Sequence, residues 1–352
     1  MTNMNRRQLI RRAALGAGAL TLAPSMRWVG AATTGPLRRP GSTPTELIPT
    51  TLQLSWTPSV QFGGSFLGLD RGYYAEEGLD ISFGLGGPNV AGDAQTVSGA
   101  ALMNISGGDG VARSNVEGAG LTIVGTQYQK SPGTLLSLAD KDLTTPDALV
   151  GTRIAVAGAD NPALLAFLQI NDIAESDVEL IPSQYDPAVL IADQADSIFC
   201  FYNDLPVALR VQEIPYNAML LADFGYNPAS QTYTVLTTSL EDPETRAQLV
   251  SLLRAEIRGW QDYKTDFLEA AQLAIDMYPD AGLDLETQEA TAEVNLDLMY
   301  SDVTDEFGFA WFTDEVVETN IALFADLGIE GADASLFDRT LLEEIFAEGP
   351  VV

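Results

Sequence analysis

From residue 51 onward, short apolar segments alternate with amphipathic segments, and glycine-containing turns separate them. The apolar segments have the length of strands, and the amphipathic segments have the periodicity of helices. In the first part of the chain the pattern predicts strands at Thr51–Ser55, Leu79–Phe83, Leu102–Ile105 and Leu121–Gly125. Alternation with short connections is typical of an α/β fold built on mainly parallel sheets.

A second unit with the same alternation begins near Leu143, and its predicted strands are Thr152–Ala157, Val178–Ile181 and Ser197–Tyr202. Tyr233–Thr238 is predicted to return to the first unit, and the chain beyond it is predicted to be nearly all helical. We therefore expect two lobes joined by two crossovers. Residues 50–142 with 238–352 form the first lobe, and residues 143–237 form the second. Ligands of such folds bind at the carboxyl ends of the strands, so a cleft between the lobes is the expected site.

The charge of the chain argues against several classes of partner. There are 18 Lys and Arg against 49 Asp and Glu, a formal net charge of −31. Seven of the 18 basic residues fall in the first 39 positions, where there is no acidic residue, so the remainder is more acidic still. Such a surface repels phosphate backbones and anionic lipid headgroups, and nucleic acid is therefore not an expected partner.

Residues 1–49 are predicted to be an export signal followed by a flexible leader. Arg6 and Arg7 are followed by an uncharged run, Ala13–Ala23. This order and length match a signal peptide, and the arginine pair resembles a twin-arginine signal. An amphipathic surface helix is the alternative, but the arginines precede the apolar run instead of lying along one face. We expect the mature protein in the periplasm or another extracytoplasmic compartment.

Residues suited to catalysis or cofactor binding are scarce. The chain has no His and one Cys, Cys200, which excludes His-dependent triads, an intramolecular disulfide and a cysteine-based zinc site. Gly84–Asn89 approaches a dinucleotide fingerprint, but Pro88 stands where a helix should begin, so a turn is predicted. The acidic clusters Asp280–Glu286 and Asp302–Glu306 lack calcium-loop spacing. The sequence thus predicts a binding protein that is not an enzyme, with no cofactor and no metal.

Several motifs resemble those of a known family. They are Ser55–Pro58, Gln61–Gly64, Gly68–Asp80, Val97–Ala101, Ser106–Asp109, Asn115–Gly118, Gln129–Pro132 and Pro146–Gly151. They are similar to the thiamine-pyrimidine-precursor family of solute-binding proteins, the SsuA/ThiY-like proteins. These serve ABC importers for thiamine-precursor pyrimidines, riboflavin and, in more distant branches, sulfonates and nitrate. The resemblance covers residues 50 to 240.

The resemblance implies a type II periplasmic-binding-protein fold with a ligand cleft between two lobes, in agreement with the two expected crossovers. It also implies a small-molecule ligand, closure of the lobes around it, and docking on an ABC permease in the membrane. We expect the protein to act as a monomer. A eukaryotic branch of the family is enzymatic, but it uses an active-site His and a Cys-rich motif that this chain lacks.

Five residues of the first lobe are candidates for ligand contact. Trp56 ends the first predicted strand, where the resemblance places a ring-stacking aromatic; a core tryptophan is the alternative. Gln61 and Phe62 follow in the same loop and either contact the ligand or pack at the start of a helix. Asp109 lies at a glycine-rich turn, where it can cap a helix, accept hydrogen bonds from a ligand amine, or do both. Gln127 is a further candidate.

The second lobe contributes Tyr202, Asn203 and Asp204, which end its last predicted strand. In the pyrimidine-binding branch of the family the corresponding positions carry a Tyr and an Asn-Glu pair that meets the ligand. The side chain of Asp204 is one methylene shorter than Glu, which changes its reach; a plain Asn-Asp turn is the alternative. Asn161, in the loop from Gly158, and Tyr185 are further lining candidates.

These features lead to a main functional hypothesis and its alternatives. The main one is binding of a neutral or cationic aromatic heterocycle, such as a thiamine-precursor aminopyrimidine or a flavin, through stacking and carboxylate acceptors. A sulfonate- or nitrate-type binding protein is the alternative ligand class, although a carboxylate at Asp109 would oppose an anion. An enzyme of pyrimidine biosynthesis or a hydrolase on the same fold, and a receptor module without an importer, are the other function classes.

Overall fold

The computed structural model describes residues 46–87, 90–157 and 161–352. The predicted export signal falls within residues 1–45 and lies outside the described residues. Pro88 and Asn89 of the predicted turn, and residues 158–160 of the candidate loop before Asn161, lie outside them as well.

The described chain forms ten strands. They are β1 (Ile48–Gln53), β2 (Leu79–Gly84), β3 (Met103–Gly107), β4 (Leu121–Tyr128), β5 (Gly133–Leu138), β6 (Arg153–Ala157), β7 (Glu179–Ser183), β8 (Ser197–Phe201), β9 (Tyr216–Leu220) and β10 (Ser230–Leu236). They build two five-stranded sheets, in the orders β2-β1-β3-β10-β4 and β7-β6-β8-β5-β9. In each sheet a parallel core, β1 with β2 and β3 or β6 with β7 and β8, is extended by antiparallel strands.

The chain crosses between the sheets twice, at residues 129–132 after β4 and at residues 221–229 before β10. The two crossovers and the return strand at Tyr233 were predicted, and both are confirmed. The second lobe was expected to span residues 143–237. Both crossings come earlier in the chain than these boundaries. The first differs because Gly133–Leu138 is a strand that the sequence did not reveal: its first five residues are all buried, so it shows no alternation. Its place is fixed by antiparallel pairing with β8 and β9.

Thirteen helices accompany the strands. They are α1 (Gly63–Asp70), α2 (Tyr73–Glu76), α3 (Gly92–Val97), α4 (Gly108–Val116), α5 (Pro162–Ile170), α6 (Ala188–Ile191), α7 (Leu205–Val211), α8 (Thr237–Glu241), α9 (Pro243–Met277), α10 (Leu285–Met299), α11 (Asp302–Phe307), α12 (Asp314–Asp326) and α13 (Thr340–Ile345). α9 begins with a side-chain cap: Asp242 accepts the N–H of Thr245 at 2.9 Å, and Pro243 takes the first helical position. α9 is kinked at Asp266, where φ and ψ are not helical. No helix of the described ranges is both long enough and apolar enough to cross a membrane.

The packing of α1 against α9 organises the first lobe. At their crossing, a Cβ on Gly259 would overlap the backbone of Gly64, and a Cβ on Gly64 would overlap the ring of Trp260. Glycine at both positions therefore allows the helix backbones to approach closely. This contact fixes the start of α1, and with it the loop from β1 that carries Trp56.

A buried carboxylate lies in the same interface. Glu256 on α9 is fully buried, and it accepts hydrogen bonds from Ser65 and Tyr233 at 2.8 Å and from Tyr74. Burial raises the pKa of the Glu256 carboxyl group, while the hydroxyl donors lower it. The group joins α1, α2, β10 and α9 in one polar cluster inside the apolar core.

Candidate ligand site

A cavity of about 690 Å³, called here the cleft cavity, is lined by residues from both lobes. The first lobe contributes Ser55 and Trp56 after β1, Ser106 and Gly107 at the end of β3, and Ser230 and Gln231 at the start of β10. The second lobe contributes Ala157, Asn161, Tyr185, Phe199, Phe201 and Asp204. The cavity thus lies at the carboxyl ends of the parallel strands, where it was expected.

Trp56 lines the cleft cavity from the loop after β1. Gly86 donates its N–H to the carbonyl oxygen of Trp56 at 3.1 Å, and a Cβ on Gly86 would overlap the backbone of Trp56. The ring of Trp56 lies 5.8 Å from that of Tyr185, centroid to centroid, at an interplanar angle of 60°. Because the two rings belong to different lobes, they form an aromatic contact across the cleft.

Gln61 and Phe62 are neighbours in a single 3-10 turn, Val60–Phe62, but they face different surroundings. Gln61 lines the cleft cavity, whereas Phe62 has no exposed surface and packs in the core of the first lobe. A 3-10 helix rotates about 120° per residue, so adjacent side chains cannot share one face. Phe62 is a core residue, which corrects its predicted role at the ligand.

Asp204 lies between β8 and α7 and lines the cleft cavity. Burial raises the pKa of the Asp204 carboxyl group, and a hydrogen bond with Tyr185 opposes that rise. The Tyr185 hydroxyl also accepts the backbone N–H of Phe201 at 3.2 Å. The structure therefore brings two predicted residues together as an aromatic ring beside a half-buried acceptor.

Besides Gln61, two side-chain amides of the described residues line the cleft cavity. Asn161 was predicted; its Oδ1 caps α5 by accepting the N–H of Leu164 at 3.0 Å. Gln231 was missed, because the strand was predicted to begin at Tyr233 whereas β10 begins at Ser230. It has a left-handed φ of 50°, accepts from the Ser55 hydroxyl at 2.7 Å, and its buried Nε2 has no hydrogen-bond partner among the described residues. Backbone strain at a ligand-lining position is common in binding sites.

Phe199 and Phe201 also line the cleft cavity and were not predicted. They are two positions apart in β8, so both side chains point to one face of the sheet. Cys200, between them, is buried in a core cluster on the other face. The period-2 alternation of β8 was the available signal.

A second cavity of about 610 Å³, called here the side cavity, adjoins the first. Trp56, Gln61 and Asp204 line both cavities and so form their common boundary. The rest of the side cavity is lined mainly by the loop after Trp56 and by the segment from Met277 to Thr291, between α9 and α10. The lobe-1 helices thus build most of its wall.

Asn203 lines the side cavity and bridges the lobes. Its Nδ2 donates to the hydroxyl of Tyr128 at 2.9 Å and to Oδ1 of Asn295 at 2.6 Å. Asn295 in turn donates to the Tyr263 hydroxyl at 3.1 Å. Asn203 is 1% exposed, and its Oδ1 has no hydrogen-bond partner among the described residues.

Besides Phe62 and Asn203, three predicted residues lie away from the cleft cavity. Tyr202 is half-buried, and its backbone N–H bonds the carbonyl oxygen of Pro132 at 2.8 Å. Asp109, in the first turn of α4, accepts a hydrogen bond from Tyr226 at 3.0 Å, while Gly107 is the residue at the helix N-cap. Gln127 is fully buried within β4. Each of the three follows or lies in a strand or turn near the cleft in sequence, which is why it was predicted to contact the ligand. In the structure none of the three lines the cleft cavity.

The cleft cavity has a negative electrostatic character. Asp93, Glu117 and Asp204 are among its lining residues, and none of the described lining residues is Lys or Arg. Asp93 accepts hydrogen bonds from Asn104 at 2.8 Å and Ser114 at 2.9 Å. A cavity with carboxylates and no opposing cation disfavours an anionic ligand.

The sequence model of the NMT1/THI5-like family matches residues 59–270. The chain belongs to this family. This confirms the family resemblance drawn from the motifs. The chain is also 29% identical over 281 residues to the riboflavin-binding protein RibY of Chloroflexus aurantiacus. That alignment covers 77% of this chain and 78% of RibY.

Solved structures share the fold of this NMT1/THI5-like chain. The periplasmic aliphatic sulphonate-binding protein SsuA of Escherichia coli is 13% identical, with a TM-score of 0.59 over 82% of this chain and 95% of SsuA. The desulfurization enzyme DszB is 12% identical, with a TM-score of 0.53 over 85% of this chain and 99% of DszB. At these identities the likeness shows the fold alone, and it confirms the predicted two-lobed periplasmic-binding-protein architecture.

Proposed function

We propose that this protein is the exported solute-binding component of an ABC importer and that it binds a neutral, flat, nitrogen-containing heterocycle of the riboflavin type. One observation carries the proposal most: the cleft cavity combines aromatic side chains from both lobes with carboxylate and amide groups, and its described lining has no Lys or Arg. The name of the relative RibY supports riboflavin as the first solute to test.

The aromatic residues suit a flat ring. Trp56 and Tyr185 approach from different lobes, and Phe199 and Phe201 add apolar surface. A planar heterocycle can stack on such rings while its edge meets polar groups. A three-ring flavin fills more of a cavity of about 690 Å³ than a single pyrimidine does.

The polar groups suit the edge of such a ring. Asp204 can accept a hydrogen bond from a ring N–H or an exocyclic amine, and Gln231 can donate to a neighbouring ring carbonyl. A flavin presents an N–H between two carbonyls. A thiamine-precursor aminopyrimidine, the second candidate, presents an amine beside ring nitrogens, and the half-buried carboxylate of Asp204 favours it as well.

The same groups argue against the sulfonate and nitrate alternatives. SsuA, which shares the fold, is named as a sulphonate-binding protein. In this chain, however, an anion in the cleft cavity would meet Asp93, Glu117 and Asp204. Burying an unpaired anion beside like charges costs several kcal/mol, on the order of the cost for any unpaired buried charge.

A binding role also fits the chain better than catalysis on this fold. DszB demonstrates that the architecture can carry an enzyme. In this chain there is no His, and the one thiol, Cys200, is fully buried with a pKa raised well above its ordinary value by desolvation. Neither a His-based nor a thiolate mechanism is therefore supported.

Lobe closure provides the mechanism. Trp56 belongs to the first lobe and Asp204 to the second, so a ring that stacks on Trp56 and meets Asp204 with its edge gains both contacts only when the lobes are closed. The closed form is then the one that docks on a membrane permease. The predicted export signal agrees with a site of action outside the cytoplasm.

The test is titration of the purified protein with riboflavin, a thiamine-precursor aminopyrimidine and an alkanesulfonate, followed by calorimetry and flavin fluorescence. We expect saturable binding of riboflavin, no binding of the sulfonate and no chemical change in the recovered ligand. Tight sulfonate binding without heterocycle binding would overturn the ligand class, and turnover of any ligand would overturn the binding role.

A further inference from the structure

We propose that the side cavity receives a polyhydroxylated tail of the solute, so that the protein recognises a ring and a tail in two adjoining compartments. The inference rests on the proposed function, because it assumes a flavin-type ring in the cleft cavity. It adds a second recognition site and a chemical class, a neutral polyol, for the group bound there.

The boundary between the cavities is where a ring substituent would leave. Trp56, Gln61 and Asp204 line both compartments. A ring stacked on Trp56 with its edge at Asp204 therefore lies at the junction. A flexible substituent on that ring can pass into the side cavity without leaving the protein.

The side cavity offers polar groups that can bind a tail. The cleft cavity is lined by aromatic side chains from both lobes, namely Trp56, Tyr185, Phe199 and Phe201. The wall of the side cavity combines apolar side chains, among them Met277, Tyr278 and Leu283, with polar ones, namely Thr57, Ser59, Asp280, Thr287, Gln288 and Thr291. Hydroxyl, amide and carboxylate groups can each accept or exchange hydrogen bonds with the hydroxyls of a polyol.

An orphaned acceptor supports occupancy by a donor group. Asn203 is 1% exposed and lines the side cavity, and its Oδ1 has no partner among the described residues while its Nδ2 is engaged by Tyr128 and Asn295. Buried amide oxygens are rarely left unpaired, so a ligand hydroxyl is a suitable donor here. Thr291, 7% exposed, lines the same wall.

The charge of the side cavity restricts the tail to a neutral one. Asp280 and Asp204 are carboxylates, and the described lining holds no Lys or Arg. A tail that ends in hydroxyls can donate to these groups, whereas a tail that ends in phosphate would be repelled. A neutral sugar-alcohol chain, as in riboflavin, meets both conditions.

The experiment compares riboflavin with lumiflavin, which keeps the ring system and replaces the tail by a methyl group. Affinities are measured by quenching of flavin fluorescence and by calorimetry. We expect the wild-type protein to bind riboflavin roughly tenfold or more tightly than lumiflavin, since several hydrogen bonds are added. Thr291→Val, which removes a hydroxyl at constant shape, should weaken riboflavin roughly three- to tenfold and leave lumiflavin unchanged.

A second variant fills the side cavity from its rim. Ala281 is exposed and lines the cavity, so Ala281→Trp adds bulk without disturbing the core. It should bring riboflavin affinity down to that of lumiflavin. The matched controls are Thr319→Val and Ala325→Trp, at exposed positions of α12, and both should bind the two flavins as the wild type does. Thermal unfolding checks that every variant is folded.

The outcomes separate the two proposals. Equal affinity for riboflavin and lumiflavin, unchanged in Thr291→Val and Ala281→Trp, would overturn the tail compartment and leave the ring-binding function standing. A loss of lumiflavin binding equal to that of riboflavin in both variants would also overturn it, because the side cavity would then act on the ring. Failure of both flavins to bind the wild type would overturn the proposed function, and the tail compartment with it.

Discussion

Asn203 of the second lobe donates a hydrogen bond from Nδ2 to the hydroxyl of Tyr128 in the first lobe, across 2.9 Å. The same nitrogen donates to Asn295 on α10, and all three side chains are buried. A residue that the family resemblance places at the ligand thus also ties the two lobes together beside the cavities. Ligand recognition and lobe position share this side chain.

Asn203→Ala should destabilise the protein. Removal of the amide takes away the buried donor to the Tyr128 hydroxyl and to Oδ1 of Asn295, which costs about 1–3 kcal/mol of the free energy of unfolding. Urea denaturation measures the change. Asn217→Ala is the control, because Asn217 makes a longer hydrogen bond, 3.3 Å, to the carbonyl oxygen of Ala139 near the surface. An equal loss of the free energy of unfolding in both variants would contradict a stabilising role for the interlobe hydrogen bonds.

Trp56→Ala should weaken flavin binding by about 1–3 kcal/mol, the range for stacking of a heterocycle on an aromatic side chain. Trp56→Phe should recover part of the loss. Calorimetric titration provides the measurement. Trp311→Ala is the matched control: Trp311 stacks on Phe307, 5.3 Å between centroids, away from both cavities. Unchanged flavin affinity in Trp56→Ala would show that the flavin ring does not stack on Trp56.

Flavin affinity should fall at acid pH through Asp204. Burial raises the pKa of the Asp204 carboxyl group, so the acceptor becomes protonated at a higher pH than an ordinary carboxylate. Affinity is expected to be full above that raised pKa and to be lost as pH falls through it. Asp204→Asn should bind more weakly at neutral pH and show a flatter acid limb. Asp70→Asn, at an exposed position on α1, should keep the wild-type profile.

Glu256→Gln should change how the free energy of unfolding depends on pH. Burial raises the pKa of Glu256, so the folded state holds this proton more tightly than the unfolded state does. Its contribution to stability is present below the unfolded pKa and is lost as pH rises through the folded pKa. The neutral amide removes this dependence, and the variant should gain on the wild type as pH rises. Urea unfolding of both proteins across the range from acid to neutral pH tests the difference.

Riboflavin should bind more tightly than its 5′-phosphate, by roughly tenfold at low salt, because the cavities hold carboxylates and the chain carries a net charge of −31. Added salt screens this repulsion, so the affinity for the phosphate should rise with ionic strength while that for riboflavin stays nearly constant. Tighter binding of the phosphate at low salt would contradict the charge argument.

The sequence revealed the fold better than it revealed the site. The strands of both parallel cores were predicted because each is short, apolar and bounded by turns. β5 was missed because a strand buried over its length has no alternation to detect. Antiparallel pairing with β8 and β9 places it, and pairing between distant segments is not a local property of the chain.

At the site, residues that end strands were predictable and residues chosen by backbone geometry were not. Trp56 and Asp204 stand at strand ends, where the topology brings them to the cleft. Gln61 and Phe62 could not be separated, since one step of a 3-10 turn sends one to the cavity and the other to the core. Gln231 reaches the cavity at a left-handed φ of 50°, which only the folded strand reveals.

Cys200 has a practical consequence. It is the one cysteine of the chain, it is fully buried, and burial raises its pKa well above the ordinary value. Towards a maleimide dye the folded protein therefore behaves as a cysteine-free background. Cysteines introduced at Asp70 and Glu175, exposed positions in different lobes, can be labelled without altering the native interior. Single-molecule energy transfer between the dyes would then follow each opening and closing of the lobes as solute is added.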